Sequence, residues 1–272
     1  MYITNNAALA KKACSAGVSR IFVDWETMGK AERQGHLDSV QSNHSLSDLI
    51  AVREAIPEKE LMVRINPINE DTRAEVEAAL GAGADLIMLP MFYDYQAVKQ
   101  LSDIVAGRAK IVPLFETVAS LSEVEKVCLL DNVREIYVGL NDLHIELKDN
   151  FMFSSLAAGL VDNVAEIAYK NNVRFGFGGI ARVSEGSVSG GMVLGEHIRL
   201  NSNIVILSRT FYRADEGTDD AFEVFFREIE LLNDEWQRQV NLSKEQQQKN
   251  HDTFKNKVTA ISNALRKAKI ND

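Results

Sequence analysis

Eight short apolar runs, recurring along the whole chain, limit its fold more than any other feature. They lie at 1–4 (MYIT), 21–26 (IFVDWE), 61–66 (LMVRIN), 86–90 (LIMLP), 110–116 (KIVPLFE), 135–140 (EIYVGL), 174–179 (RFGFGG) and 204–209 (IVILSR). Each is bounded by Gly, Asn, Asp or Pro and is too short for a helix, so each reads as a strand. Most are apolar on both faces. That is the pattern of parallel strands covered on both sides, not the in-and-out alternation of an antiparallel sheet.

Between the runs lie amphipathic segments. Residues 70–82 place Val76, Ala79 and Leu80 on one stripe, and 155–170 place Leu156, Leu160, Val164 and Ile167 at helical spacing. Strand and helix alternating eight times predict an α/β fold, a closed (β/α)8 TIM barrel, with an open doubly wound sheet as the alternative. The tail breaks this rhythm with two long helices, about 218–240 and 243–268; on the second, Phe254, Val258, Ile261 and Leu265 form a narrow apolar stripe. The expected organisation is therefore a barrel over 1–240 and a C-terminal helical extension over 241–272. The stripe packs either on the barrel or on a neighbouring subunit, and a homo-oligomer is the expectation.

Lys plus Arg number 30 against 39 Asp plus Glu, a net charge of −9, so a phosphate backbone is repelled and nucleic acid is not an expected partner. The two cysteines, Cys14 and Cys128, lie in helical segments without the spacing of a zinc or dithiol site. No signal peptide is apparent and charged residues interrupt every apolar stretch, so the expected location is the cytoplasm, with no membrane partner. No Gly-x-Ser-x-Gly elbow, His-Glu-x-x-His helix or Walker-type phosphate loop occurs.

In barrels of this kind chemistry sits where the strands end. Here those positions are Asp24 and Glu26, Arg64 and Asn66, Glu116, Asn141 and Asp142, and Ser208 and Arg209. Ions so placed need a partner or a ligand, because the strands are buried. Glu116 and Asp142 end neighbouring strands and could share a divalent metal; hard oxygen donors suit Mg2+ or Mn2+. Equally, each acid could pair with an Arg or cap the next helix. Arg64 offers a planar fork to a carboxylate, or balances Glu26 or Glu116. No strand ends in Lys, which speaks against Schiff-base chemistry; Lys30 lies in a loop.

Taken together, Phe-Val-Asp-Trp-Glu at 22–26 with Lys30 and Arg33, Val-Arg-Ile-Asn at 63–66, Leu-Pro at 89–90, Pro-Leu-Phe-Glu-Thr at 113–117 and Gly-Leu-Asn-Asp-Leu at 139–143 resemble a known family. It is the class II pyruvate aldolase and citrate lyase β-subunit family of the phosphoenolpyruvate/pyruvate barrels. The resemblance implies that Glu116 and Asp142 bind Mg2+, that Arg64 contacts the substrate carboxylate, and that backbone amides at Gly139, Leu140 and Asn141 complete the pocket. It implies a metal-dependent carbon–carbon lyase acting on a small-molecule 2-oxo acid such as pyruvate through an enolate. For the general base the loops offer Glu26, His36 and His144. Gly-Gly-Ile-Ala-Arg at 178–182 stands where the family's CoA-ester lyases show Gly-Lys-x-x-Ile-His-Pro, and Leu114 and Thr27 replace the Gln and His of its hydroxy-oxo-acid aldolases. The chain thus looks like a divergent branch with its second-substrate region changed.

Two further features bear on function. Gly176 to Ala181 fits a loose Gly-x-Gly-x-x-Ala dinucleotide fingerprint, although the Ser- and Gly-rich stretch 182–191 is not the helix it should open. That stretch reads instead as a loop whose Ser184 and Ser187, with Arg209, could hold a phosphate. A phosphoenolpyruvate- or ester-using transferase or hydrolase is accordingly one alternative, and a non-catalytic metabolite-binding barrel another.

Overall fold

In the computed structural model, which describes residues 1–29, 44–213 and 220–271, eight parallel strands close into a barrel in chain order. They are β1 (Tyr2–Ile3), β2 (Arg20–Asp24), β3 (Glu60–Arg64), β4 (Leu86–Leu89), β5 (Lys110–Phe115), β6 (Glu135–Val138), β7 (Arg174–Ile180) and β8 (Ile204–Leu207). β1 pairs with both β2 and β8, so the sheet has no open edge and the open-sheet alternative falls away. Around it run α1 (Ala7–Ser15), α2 (Leu46–Ala55), α3 (Thr72–Gly81), α4 (Tyr95–Val105), α5 (Val124–Cys128), α6 (Leu140–Glu146), α7 (Ser154–Ala157), α8 (Leu160–Lys170) and α9 (Gly190–Arg199). α10 (Ala221–Val240) and α11 (Lys244–Asn271) follow β8.

Each strand begins and ends within about two residues of its expected limits, with Glu26, Asn66 and Glu116 just past the strand ends. The helix expected over 155–170 is instead two, because Gly159 takes φ +81° and breaks the ladder between α7 and α8. The loop expected over 182–191 is shorter, since α9 already starts at Gly190.

Strand side chains alternate between barrel interior and helix layer, so residues two apart share a face. The interior consequently stacks in tiers. At the floor Arg20, fully buried, donates through Nε and Nη2 to Glu60 (3.0 and 2.7 Å) and through Nη2 to Glu135 (3.0 Å). Lys110, at the start of β5, reaches Glu60 at 3.3 Å on this same side. Above lies an apolar tier that includes Phe22, Met62, Met88, Val112, Leu114 and Tyr137. Two positions further along their strands, Phe22, Met62, Leu114 and Tyr137 give way to Asp24, Arg64, Glu116 and Gly139. Strand periodicity alone therefore delivers those four residues to one mouth.

The glycines of the fingerprint serve packing. A Cβ on Gly176 would lie 2.5 Å from the Tyr137 ring, and the Tyr137 hydroxyl donates to the Gly178 carbonyl (2.6 Å) while accepting from the Ile206 N–H (3.0 Å). Tyr137 thereby fills the register shift between Gly176 and Gly179 in β7.

The apolar stripe of α11 covers the barrel's own flank. Phe254 and Val258 are buried, with Phe254 edge-on to Phe153 at 6.2 Å, and His251 Nδ1 lies 2.9 Å from a carboxylate oxygen of Glu196 on α9. Ile261 is partly buried and Leu265 is 40% exposed, so the stripe leaves the barrel at its end. No described helix is long and apolar enough to cross a membrane.

Candidate active site

Arg64 closes β3 with its guanidinium among acids. Nε and Nη2 donate to the two oxygens of Asp24 at 2.9 and 2.8 Å, a two-pronged pair, and Nη1 stands 3.3 Å from Glu26. Asp24 and Glu26 are each 2% exposed, and the Glu26 N–H donates to Asp24 Oδ1. Arg64 is held in its charged form, its pKa raised by Asp24, Glu26 and Glu116 against the opposing effect of burial. Asp24, rather than the expected Glu26 or Glu116, is thus its main partner.

Glu116 follows β5 and is buried. One oxygen accepts the Met91 N–H at 3.0 Å, in a turn after β4 where Met91 adopts φ +47°, a conformation rare for a side chain of its size. The other oxygen faces Gly139, and a Cβ there would come within 2.7 Å of it. Burial, then the charge of Asp142, push the Glu116 carboxyl up to about 8; Arg64 pulls the other way and Glu26 adds to the rise. Asp142, also buried, lies in the first turn of α6.

Asp24, Glu26 and Glu116 therefore gather around one guanidinium, with Asp142 acting on Glu116. Such a cluster requires either a proton or a cation, and its donors are all hard carboxylate oxygens, which suit Mg2+ or Mn2+. Among the described residues no group of three His, Cys, Asp or Glu is arranged to hold a metal. The arrangement fits a two-carboxylate site that leaves its other positions to water and substrate, and does not fit a closed all-protein cage.

The remaining expected residues divide. The Gly139 N–H is engaged by the Phe115 carbonyl (3.0 Å), which withdraws it from a substrate pocket. No side chain caps α6, so Leu140 and Asn141 begin a helix whose first N–H groups have no intrahelical acceptor. His144 sits two residues after Asp142 on the same helix, about 200° around its axis, and its Nδ1 is buried without a hydrogen-bond partner. Lys30, Arg33 and His36 lie outside the described residues. In the loop after β7, where Ser184 and Ser187 with Arg209 were expected to hold a phosphate, Glu185 pairs with Arg182 (3.2 Å) and Arg213 (2.8 Å).

Sequence reasoning missed the backbone supports of the site. Met91 is one. Asn66 is another: its carbonyl oxygen accepts the Thr27 and Met28 N–H groups at 2.9 and 3.0 Å, and its amide donates to Glu75 at 2.8 Å, tying the loop after β2 to β3. Asn66 was visible as a polar strand end, whereas nothing in the sequence marks Met91.

Comparison with known proteins bears on the family and the fold. Residues 2–151 match the profile of HpcH/HpaI aldolase/citrate lyase. No curated protein gives a significant match. Among solved structures, an HpcH/HpaI aldolase from Desulfitobacterium hafniense DCB-2 superimposes with a TM-score of 0.59 at 14% identity, covering 76% of this chain and 84% of that one. The citrate lyase beta subunit from M. tuberculosis, complexed with oxaloacetate and magnesium, gives 0.54 at 14% identity, covering 84% and 95%. Citrate synthase SbnG gives 0.51 at 12% identity, covering 65% and 75%. At these identities the superpositions establish the barrel fold.

Proposed function

The chain belongs to the HpcH/HpaI aldolase/citrate lyase family, and on that premise we propose that it is a divalent-metal-dependent carbon–carbon lyase acting on a 2-oxo acid. One observation carries the reading: at the C-terminal mouth of the barrel the buried carboxylate of Glu116 is held near that of Asp142, beside the Arg64 guanidinium that serves Asp24 and Glu26, at a cost in charge that a cation would relieve. The magnesium and oxaloacetate of the M. tuberculosis citrate lyase beta subunit support the same choice of ligands.

In this reading Glu116 and Asp142 hold Mg2+ or Mn2+. When bound, that ion supplies positive charge to the oxygens of the 2-oxo acid as an enolate develops. The chain's own groups do the rest. Arg64 has five N–H groups and spends two on Asp24, leaving two on Nη1 and one on Nη2 for the substrate carboxylate and Glu26. The bidentate pair with Asp24 fixes the plane of the guanidinium, so the carboxylate is met by a rigid fork. The N–H groups of Leu140 and Asn141 complete that pocket. Glu26, brought beside the substrate by its approach to Arg64, accepts or returns the proton at the carbon next to the carbonyl.

Calorimetric titration tests the reading. Protein stripped by a chelator is titrated with Mg2+ and Mn2+, then with oxalate, a mimic of the pyruvate enolate, with and without the ion. Oxalate binding that requires the metal, and that disappears in Glu116→Gln, is the expected result. Oxalate binding indifferent to metal, or no metal binding at all, overturns it.

A further inference from the structure

β2 ends at Asp24, yet its pairing with β3 continues beyond that point through a side chain. The Trp25 N–H donates to the Arg64 carbonyl at 2.9 Å, as in a strand. Then the acceptor changes: the Thr27 and Met28 N–H groups, at 2.9 and 3.0 Å, both meet the side-chain oxygen of Asn66. Glu26, between these anchors, is held from both sides. Its buried carboxylate stands 3.3 Å from Arg64 Nη1.

Asn66 is itself held by Glu75, in the first turn of α3. One Glu75 oxygen accepts the Asn66 backbone N–H at 3.0 Å, and the other accepts the Asn66 side-chain amide at 2.8 Å. A carboxylate only accepts, so the amide turns its NH2 to Glu75 and its oxygen to the loop after β2. Backbone N–H groups only donate, so Thr27 and Met28 need that oxygen. Each hydrogen bond from Glu75 to the loop thus has one allowed direction. The helix dipole favours an acid in the first turn, but it does not call for two hydrogen bonds to one residue past the preceding strand.

We propose that Glu75 is a positioning residue for proton transfer: through Asn66 it fixes the backbone that aims Glu26. The proposal rests on the reading of Glu26 as the general base. A misplacement of about 1 Å can cost on the order of a hundredfold in rate, so a loosened anchor at Thr27 slows proton transfer without emptying the site.

A swap of donor and acceptor tests it. In Glu75→Gln one of the two bonds to Asn66 is lost, whichever way the new amide turns, and in Asn66→Asp two carboxylates face each other. The double variant restores every bond at unchanged net charge: the new Asp accepts from Thr27, Met28 and the Gln amide, and the Gln oxygen accepts the backbone N–H at position 66. With metal bound, exchange of pyruvate methyl protons in D2O should be at least about tenfold slower in each single variant and return to within about threefold of wild type in the double. Metal-dependent oxalate binding, which depends on Glu116, Asp142 and Arg64, should stay within about threefold in all three. Amide hydrogen exchange should find the Thr27 and Met28 N–H groups protected in wild type and the double variant and unprotected in the single ones, a readout needing no turnover. Single variants as fast as wild type, a double variant no faster than either, or unprotected amides in wild type would overturn the proposal. Fast exchange in Glu75→Gln beside slow exchange in Glu26→Gln overturns it alone; fast exchange in Glu26→Gln overturns the general-base reading and the proposal together.

Discussion

The carboxylate of Glu116 occupies the space that a side chain at position 139 would need, with Oε2 2.7 Å and the Glu116 Cβ 2.8 Å from where a Cβ on Gly139 would sit. A glycine at the end of β6 is thus what lets the acid after β5 lie flat beside its neighbour. Gly139→Ala should displace Glu116, weaken Mg2+ binding at least tenfold by calorimetry, and destabilise the fold by about 1–3 kcal/mol through overpacking. Unchanged Mg2+ affinity would show that Glu116 is not a ligand.

Arg64 is a counter-charge for Asp24 and Glu26, so its loss removes a cation from beside two buried carboxylates. Arg64→Met should cost about 3–5 kcal/mol in urea unfolding, and adding Asp24→Asn should return part of that. Strict additivity of the two substitutions would refute the pairing.

Proton movement can be followed without knowing the second substrate, by exchange of pyruvate methyl protons in D2O. With metal present, Glu26→Gln should slow exchange by about a hundredfold or more, the range for loss of a general base, while His144→Ala changes it less than about twofold. A large loss in His144→Ala with Glu26→Gln active would reverse the two assignments.

Acid sensitivity should depend on His197, which is buried on α9 with its ring stacked on Phe177. Its folded pKa of about 3 lies below its ordinary 6.5, so at any pH between them the unfolded chain binds a proton that the folded one refuses. Stability from this group is full above 6.5 and is lost as pH falls toward 3, by about 1.4 kcal/mol per unit. Between pH 7 and 5, His197→Phe, which keeps the stack on Phe177, should lose about 2 kcal/mol less than wild type in urea unfolding. Parallel losses in the two proteins would place the acid sensitivity elsewhere.

The stripe of α11 divides into a packed and an unpacked part. Phe254→Ala should destabilise by about 3–5 kcal/mol, as for a buried aromatic side chain, and Leu265→Ala, 40% exposed, by under about 0.5. A comparable loss for both would mean that Leu265 is covered in solution, by a second copy of the chain.

Strand order, helix spacing and the residues at the strand ends were legible because they depend on periodicity: position 22 inside the barrel puts 24 inside, and position 114 puts 116 inside. What periodicity does not carry is which charge pairs with which. Glu26 and Glu116 were the expected partners of Arg64, and the register of β2 on β3, with Asp24 opposite Arg64, decides instead for Asp24. The turn that aims the Met91 N–H at Glu116 was illegible for another reason, since its positive φ belongs to a residue with no preference for it. The break at Gly159 needed tertiary context too, because a single glycine interrupts some helices and merely weakens others.

Arg20 and its two acids make the barrel a cup with a sealed floor. The apolar tier above them separates that seal from the mouth, so the chain can exchange one substrate for another by rewriting loops at the rim while the seal beneath stays as it is. The departures noted in the sequence, at Thr27 and 178–182 toward the C-terminal strand ends and at Leu114 in the apolar tier, leave the ions that close the floor untouched.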